Sequence, residues 1–329
     1  MRARPASRAL FPGVLLALVC AWFFPEPGAR GGVFRSELSA GAAVFVIFLF
    51  QGALLSTENL RRDLSNARLH VFTQGFIFLV FPACVLCLVY FFGGWLDAGL
   101  LVGFLYLAIL PSTIVTAGVF TQLAGGNVAG AVFNASLSNL LGILIVPFWM
   151  AWVLSTQTGA LIPLGPVFLK VSALLLLPLL LGQGLRLRFG KAFEKRKAAI
   201  GWLSTALICF ILYTAFCDSV KSGVWTEREP GFLLSAFLAT LLLLLQIKAI
   251  AWGCLLWLKL PPPDRMAAFF CASQKTLAMG VPLLAAIYAG NGGRSLPDPG
   301  LVLLPILLYH PLQVLFGSLV LRRLHRLRP

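Results

Sequence analysis

Apolar runs of about 20 residues recur along the whole chain, and short polar or charged connections separate them. A run of this length crosses the hydrocarbon core of a bilayer as an α-helix, whereas the strands of a membrane barrel would alternate apolar and polar residues. The pattern therefore predicts an all-α polytopic membrane protein with ten transmembrane helices. The predicted spans lie at about 9–26, 39–56, 70–93, 97–122, 127–155, 165–185, 200–220, 231–258, 265–289 and 298–321.

The composition agrees with a protein whose main partner is the lipid bilayer. Of the 329 residues, 59% are hydrophobic and 11% are charged, whereas a soluble domain has about 25% charged residues. A formal net charge of +15 is also found in nucleic-acid-binding proteins. Here the basic residues lie in short connections between spans, which is typical of membrane topology, so we expect no nucleic-acid partner.

The distribution of Lys and Arg over the connections predicts that both termini are cytoplasmic. Eighteen lie on one side: Arg2, Arg4, Arg8, Arg61, Arg62, Arg68, Arg186, Arg188, Lys191, Lys195, Arg196, Lys197, Lys259, Arg265, Arg322, Arg323, Arg326 and Arg328. Five lie on the other side: Arg30, Arg35, Lys221, Arg228 and Arg294. The first apolar run is interpreted as a retained helix, and the lack of long soluble extensions suggests a bacterial inner membrane.

Ten spans divide into two groups of five, and a second group of five must start from the opposite membrane face. This count predicts two inverted five-helix repeats, which is a common transporter plan. The fourth span of each half carries helix-breaking residues: Pro111 and Gly118 in one, Gly280 and Pro282 in the other. Paired interruptions of this kind indicate a binding site near the membrane midplane. Hydroxyls that could satisfy the freed backbone groups follow Pro111, namely Ser112, Thr113 and Thr116.

Lys275 lies in the middle of a predicted span, in the stretch FFCASQKTLAMGVPLL (269–284). A charge at this depth costs at least about 2.5–3.5 kcal/mol, and no Asp or Glu lies in mid-span to balance it. Three roles are open: direct binding of an anionic substrate, proton coupling, or donation to carbonyls freed by broken helices. The third role is compatible with either of the others. Ser273, Gln274 and Thr276 are candidate companions by adjacency.

Other polar residues inside the spans are weaker candidates for a site. The fifth span contains Asn134, Ser136, Ser138 and Asn139 among small residues, where helix packing is an equally good explanation. The motif LLYHPLQ (307–313) adds His310 and Gln313. Lys248 lies deep in the eighth span, and Asp218 is its possible partner.

Three stretches together resemble the bile acid:sodium symporter superfamily, in particular the branch of the seventh solute-carrier-10 member and its bacterial SBF-like relatives. They are LPSTIVTAGVFTQLAGGNVAGAVFNASLSNLLG (110–142), FFCASQKTLAMGVPLL (269–284) and LLYHPLQ (307–313). The resemblance implies a single transporter unit over 1–329, with a panel at about 9–56 and 165–220 and a core at about 70–155 and 231–321. It also implies that two broken helices cross in the core and that transport proceeds by alternating access.

The chain departs from this resemblance at the sodium ligands. A Ser-Asn pair of the bile-acid branch aligns with Ala117 and Gly118, and a Glu of that branch aligns with Phe270. The span-nine Gln is retained as Gln274, Lys275 replaces the Asn that follows it, and Gln74 is a displaced candidate for the span-three Gln. Sodium needs oxygen ligands, and an ammonium group can only donate hydrogen bonds. The hypothesis is that Lys275 supplies the charge of the missing sodium; no cofactor is expected, and sodium itself is left open.

The predicted function is a secondary transporter for a small organic anion. The alternative is a non-transporting membrane regulator linked to calcium homeostasis, which the resemblance to the seventh-member branch implies. An intramembrane enzyme is not expected, because the sequence has no HExxH motif and no paired acids in mid-span.

Overall fold

A computed structural model of the chain describes residues 5–55, 66–158, 164–226, 228, 231–290 and 296–326. Every regular element within these residues is helical, as the apolar runs predict. Two short elements are of other helix types, a π-helical turn (Phe76–Val80) and a 3-10 turn (Gly93–Trp95). The α-helices are α1 (Pro5–Phe23), α2 (Ser36–Leu54), α3 (Ala67–Gly75), α4 (Phe81–Phe92), α5 (Ala98–Ile109), α6 (Ile114–Leu123), α7 (Val128–Thr158), α8 (Leu164–Lys195), α9 (Lys197–Lys221), α10 (Phe232–Trp257), α11 (Pro262–Ser273), α12 (Leu277–Gly290) and α13 (Pro299–Arg326).

The described residues contain seven stretches that are long and apolar enough to cross a membrane. An eighth span results when α5 and α6, which are bent by 59° relative to each other, are counted as one. The first two predicted spans coincide with the shorter apolar helices Leu10–Phe23 and Leu38–Leu54. The chain is therefore an integral multi-pass membrane protein. Of the charges that predict its orientation, Arg2, Arg4, Arg61, Arg62, Arg294 and Arg328 lie outside the described residues.

The chain forms two compact units. The first comprises Met1–Leu55, Ile143–Pro230 and Gly280–Leu303, and the second comprises Ser56–Gly142, Gly231–Met279 and Leu304–Pro329. The panel and core boundaries given above stay a prediction. The candidate site residues named from the sequence all belong to the second unit.

The first unit depends on a close approach of α2 and α8. A Cβ atom added to Gly182 would lie 2.1 Å from the Leu49 carbonyl oxygen, and one added to Gly52 would lie 2.0 Å from that of Leu179. Only glycine allows two helix backbones to come this close, and membrane helices commonly pack in this way because lipid supplies no hydrophobic driving force. The end of α2 is then capped from α8, because Gln183 Nε2 donates to the carbonyls of Gly52 and Leu55, at 2.9 Å each.

The second unit is tied together at one end by the Asp264 carboxylate, in the first turn of α11. Its two oxygens accept hydrogen bonds from the side-chain amides of Asn66 at 2.7 Å and Asn127 at 2.8 Å. The Asn127 backbone N–H also donates to the Pro263 carbonyl at 2.9 Å, and Asn127 Oδ1 accepts from the Gly130 N–H near the start of α7. The beginnings of α3, α7 and α11 are thereby held at one point.

The sequence left Asp218 as a possible partner of Lys248, and each residue has another partner within its own unit. Lys248 Nζ donates to Ser273 Oγ at 2.7 Å within the second unit. Asp218, within the first unit, accepts a hydrogen bond from the Arg30 backbone N–H at 2.7 Å and pairs with the Arg30 side chain at 3.5 Å. Pairing Asp218 with the exposed Arg30 costs less desolvation than pairing it with a deeply buried lysine would.

We expect substitution of Gly182 to destabilise the first unit, because a larger side chain must push α2 and α8 apart. Gly182→Leu should lower the free energy of unfolding by about 1–3 kcal/mol, as overpacking typically does. Gly184→Leu is the matched control, since an added Cβ there meets no described atom within 4 Å. Thermal unfolding in detergent measures both. Equal unfolding midpoints for the two variants would contradict the close-packing account.

Candidate functional site

The fourth predicted span is broken at Pro111, as its sequence predicted. Helix α5 ends at Ile109, and both Leu110 (φ −64°, ψ 146°) and Thr113 (φ −90°, ψ 132°) have extended backbones before α6 begins. Proline has no N–H to donate and disfavours the helical conformation at the residue before it. The break therefore follows directly from Pro111.

The ninth predicted span is also interrupted, but before the residues expected to break it. Gln274 is extended (φ −106°, ψ 144°), and α12 starts at Leu277 and runs through both Gly280 and Pro282. The interruption lies earlier because the backbone N–H groups there bond outside the helix. The Lys275 N–H donates to Gln313 Oε1 at 2.8 Å, and the Thr276 N–H donates to the Pro111 carbonyl at 3.0 Å.

The two breaks therefore touch each other, and α13 holds the second one in place. Gln313 binds the Lys275 backbone on both sides, because its Nε2 also donates to the Lys275 carbonyl at 2.8 Å. One turn earlier on α13, the Tyr309 hydroxyl donates to the Ser273 carbonyl at 2.9 Å. These bonds satisfy the backbone groups that an unwound segment exposes, which a membrane interior requires.

The Lys275 side chain is fully buried between the two breaks. Its Nζ donates to three backbone carbonyls: Ala108 at 2.6 Å, Leu110 at 2.7 Å and Ile77 at 3.1 Å. It also lies 4.1 Å from the centre of the Phe81 ring. An ammonium group has three N–H donors, so all of them are used in this carbonyl cage.

Prolines explain why two of these carbonyls are available. In the π-helical turn the Phe81 N–H bonds to the Phe76 carbonyl rather than to Ile77, and the next residue, Pro82, has no N–H. Ala108 lies three residues before Pro111, at the end of α5. Its usual helical donor is the N–H of Ser112, which instead donates to Ser138 Oγ at 3.1 Å. Neither carbonyl has its usual helical donor, and Lys275 replaces it.

A second polar group lies beside the lysine cage. Thr116 Oγ1 donates to Gln274 Oε1 at 2.9 Å and lies 3.1 Å from Thr113 Oγ1. Within the described residues, Gln274 Nε2 and Ser112 Oγ are buried without a hydrogen-bond partner. Buried polar groups are normally paired, so these two atoms have unused capacity for a solute or water. Thr276, which follows Lys275, is also buried.

The remaining predicted residues form hydrogen bonds with neighbouring helices. Asn139 Nδ2 donates to the Ser112 carbonyl at 3.0 Å, and Ser138 Oγ accepts a hydrogen bond from the Ser112 backbone N–H. Gln74 lies apart from this group and donates to the Asn134 carbonyl and Oδ1 at 3.0 and 3.2 Å. His310 Nδ1 lies 3.0 Å from Gln313 Nε2, the atom that also donates to the Lys275 carbonyl.

Two of the positions at which the sequence predicted a departure from the sodium ligands lie inside the second unit. Ala117 and Phe270 are both fully buried. The Phe270 ring packs against Phe120, with 5.6 Å between ring centres. Neither side chain carries an oxygen atom, and the loss of a sodium site there stays a prediction.

Lys248 is a second buried cation beside the second break, and it was not among the candidate site residues. Its Nζ donates to Ser273 Oγ and lies 5.0–5.9 Å from the ring centres of Phe269, Phe270 and Phe316. Its depth within LLLLLQIKAIAWG was a usable signal. Tyr309 had no comparable signal, because its role depends on a contact 36 residues away in the chain.

Comparison of the sequence with known proteins assigns the chain to a family. The profile of the SBF-like CPA transporter family (DUF4137) matches residues 8–326. The chain belongs to this family. It is 30% identical over 318 residues to the sodium/bile acid cotransporter 7 of Mus musculus, covering 94% of this chain and 89% of that protein. It is 31% identical over 324 residues to the putative symporter YfeH of Escherichia coli K12, covering 98% and 93%.

A third relative is the uncharacterized protein PA2026 of Pseudomonas aeruginosa, which is 31% identical over 323 residues and covers 97% of this chain. The names of the SBF-like CPA transporter family and of the first two relatives describe transporters and not enzymes. The chain is thus a transporter-like membrane protein of this family.

We expect the two buried lysines to differ in their effect on stability. Lys275→Met leaves three carbonyls without a donor, and each buried unsatisfied group costs about 1–3 kcal/mol. The variant should therefore lose about 3 kcal/mol or more. Lys248→Met removes one hydrogen bond and a buried charge, so a change within about 1 kcal/mol, or a small gain, is expected.

Thermal unfolding of both purified variants in the same detergent checks this prediction. Ser273 Oγ still donates to the Phe269 carbonyl in the Lys248 variant, which makes that variant a fair control for loss of a buried cation. A Lys275→Met protein as stable as wild type would show that the carbonyl cage does not need its ammonium group.

Proposed function

We propose that the protein is a secondary transporter that moves a small organic anion by alternating access. The observation that carries this proposal is the pair of touching helix breaks, from which α6 and α12 both start beside the buried Lys275 ammonium. The N-terminal end of a helix carries partial positive charge, and discontinuous helices direct such ends at anionic substrates in other transporters.

The substrate contact is assigned to the polar group beside the cage rather than to Lys275 itself. All three N–H groups of Lys275 donate to carbonyls, so direct anion binding would require at least one of these bonds to break. Gln274 Nε2 and Ser112 Oγ have unused hydrogen-bonding capacity, and the Thr113 and Thr116 hydroxyls lie next to them. Lys275 then contributes a fixed positive charge at short range.

We further propose that the Lys275 ammonium replaces a coupling sodium ion. Three carbonyl oxygens at 2.6–3.1 Å surround its Nζ, and carbonyl oxygens are also the ligands that a hard cation selects. Apolar residues occupy the aligned positions of the sodium ligands, as Ala117 and Phe270 illustrate. A covalently attached cation would keep the cage satisfied without binding sodium from solution.

The finer architecture is part of the same proposal. Eight spans together with the two shorter apolar helices α1 and α2 support a total of ten. The breaks fall in the predicted fourth and ninth spans, which are corresponding positions in two inverted five-helix repeats. We also propose that both termini are cytoplasmic, that the membrane is a bacterial inner membrane, and that panel and core move against each other.

Flux measurements on reconstituted protein test the proposed function. Bile acids are the first probes, because the relatives are named sodium/bile acid cotransporters, followed by simpler carboxylates and sulfonates. Gln274→Leu should reduce uptake about tenfold or more, which corresponds to roughly 1.4 kcal/mol of lost binding. Gln246→Leu is the matched control, because Gln246 is exposed on α10.

The proposal also expects uptake by the wild type to be the same in sodium and in choline buffers. Absence of flux for every anion class in correctly folded proteoliposomes would contradict transport. It would favour the regulatory alternative that the resemblance raised.

A further inference from the structure

We propose that the first unit binds an anionic phospholipid of the membrane, independently of the transport site. The phospholipid headgroup would lie at the corner between α8 and α9, here called the basic corner (residues 183–197). One of its acyl chains would lie in the groove between α1 and α9. Both features are formed by residues of the first unit alone.

The basic corner extends beyond the hydrocarbon region of a bilayer. Helix α8 has 32 residues, a length of about 48 Å at 1.5 Å per residue, whereas the hydrocarbon core is about 30 Å thick. The helix is kinked at Phe189 (φ −119°, ψ 17°), and α9 begins at Lys197, directly after Arg196. Since the basic residues lie in its last turns, we expect this end of α8 to be the one at the level of the lipid headgroups.

The basic corner presents more positive charge than its own acid can neutralise. It contains six Lys and Arg residues and one acid, Glu194. Arg186 Nη1 and Lys197 Nζ both pair with Glu194, at 3.8 and 3.1 Å. The other four are exposed: Arg188, Lys191, Lys195 and Arg196. Clusters of four to eight basic residues beside a membrane helix attract anionic lipids.

Apolar side chains accompany these charges. Leu187 is 91% exposed and Phe189 is 49% exposed, next to Arg188 in both cases. Basic residues with adjacent exposed leucine or phenylalanine are typical of segments that lie in the membrane interface, where the apolar groups enter the acyl boundary. Basic residues that only set the orientation of the chain in the membrane would not require adjacent exposed apolar side chains.

The groove between α1 and α9 has a volume of about 700 Å³ and an apolar lining. Among its lining residues are Leu16, Cys20, Phe24, Trp202, Phe210 and Tyr213. Its hydroxyl groups are already bonded, because Thr205 donates to the Gly201 carbonyl and Tyr213 to the Phe24 carbonyl. The groove thus offers hydrocarbon contact and little hydrogen bonding, which suits an acyl chain.

The groove and the corner are adjacent along α9. Trp202, at one end of the lining, follows Lys197 by five residues, about 7.5 Å along the helix. A phospholipid whose acyl chain contacts Trp202 would therefore carry its headgroup within reach of Arg196 and the end of α8. Since these side chains are cationic, the structure assigns an anionic headgroup.

The test uses full-length, delipidated protein in a neutral detergent, with phosphatidylglycerol and phosphatidylcholine of identical acyl chains as probes. Phosphatidylglycerol should raise the unfolding midpoint by several degrees more than phosphatidylcholine, and 0.5 M salt should reduce the difference. Arg188→Gln/Lys191→Gln should lose at least half of this preference. Arg35→Gln/Lys221→Gln, which removes an exposed arginine just before α2 and an exposed lysine at the end of α9, should retain it.

A second pair of variants tests the groove. Ala206→Trp fills it from an exposed lining position, whereas Leu203→Trp changes an exposed residue of the same helix outside it. Only the first should lose phosphatidylglycerol molecules retained in native mass spectrometry. Equal stabilisation by both lipids would overturn the proposal, as would stabilisation by inorganic phosphate alone. A dimer that Ala206→Trp dissociates would also overturn it, because the groove would then be occupied by a second copy.

Discussion

Satisfaction of backbone carbonyls at the Lys275 ammonium is the interaction on which the broken-helix region depends. A membrane interior offers no water to an unpaired carbonyl, so irregular backbone survives there only with an internal partner. The usual helical donors of Ile77 and Ala108, the N–H groups of Phe81 and Ser112, bond elsewhere, and Lys275 supplies a donor for both carbonyls and for Leu110. The cage thereby connects the π-helical turn, the first break and the second break.

This arrangement explains how a cation is tolerated without a carboxylate. Charge-assisted hydrogen bonds are roughly twice as strong as neutral ones, and three of them converge on one nitrogen, with the Phe81 ring on a further side. Gln313 fixes the Lys275 backbone through two bonds, so the side chain starts from a defined position. Lys248, with one hydroxyl partner and three rings, lacks such a cage and is expected to have a different role.

The sequence predicted the features that depend on local chemistry. Apolar runs predicted the helices, Pro111 predicted the first break, and the position of Lys275 in an apolar run marked it as exceptional. The second break could not be placed from the sequence. It depends on hydrogen bonds from the backbone N–H groups of Lys275 and Thr276 to residues far away in the chain. Pro282 was misleading for the same reason: a helix within a protein tolerates proline when its neighbours compensate. The π-helical turn leaves the Ile77 carbonyl without its usual donor, and this matters only because Lys275 lies beside it in the folded chain.

Chemical rescue tests the central claim, that the Lys275 ammonium occupies a cation site, most directly. Lys275→Ala should leave the carbonyl cage empty of its donor, so the unfolding midpoint of this variant should rise saturably with sodium or a small alkylammonium, relative to choline at constant ionic strength. A ligand at a hundredfold excess over its Kd stabilises the folded state by about 2.7 kcal/mol. The wild type should show no such rise, because its own side chain fills the site. A saturable, sodium-specific rise in the wild type that Lys275→Ala leaves unchanged would contradict the account.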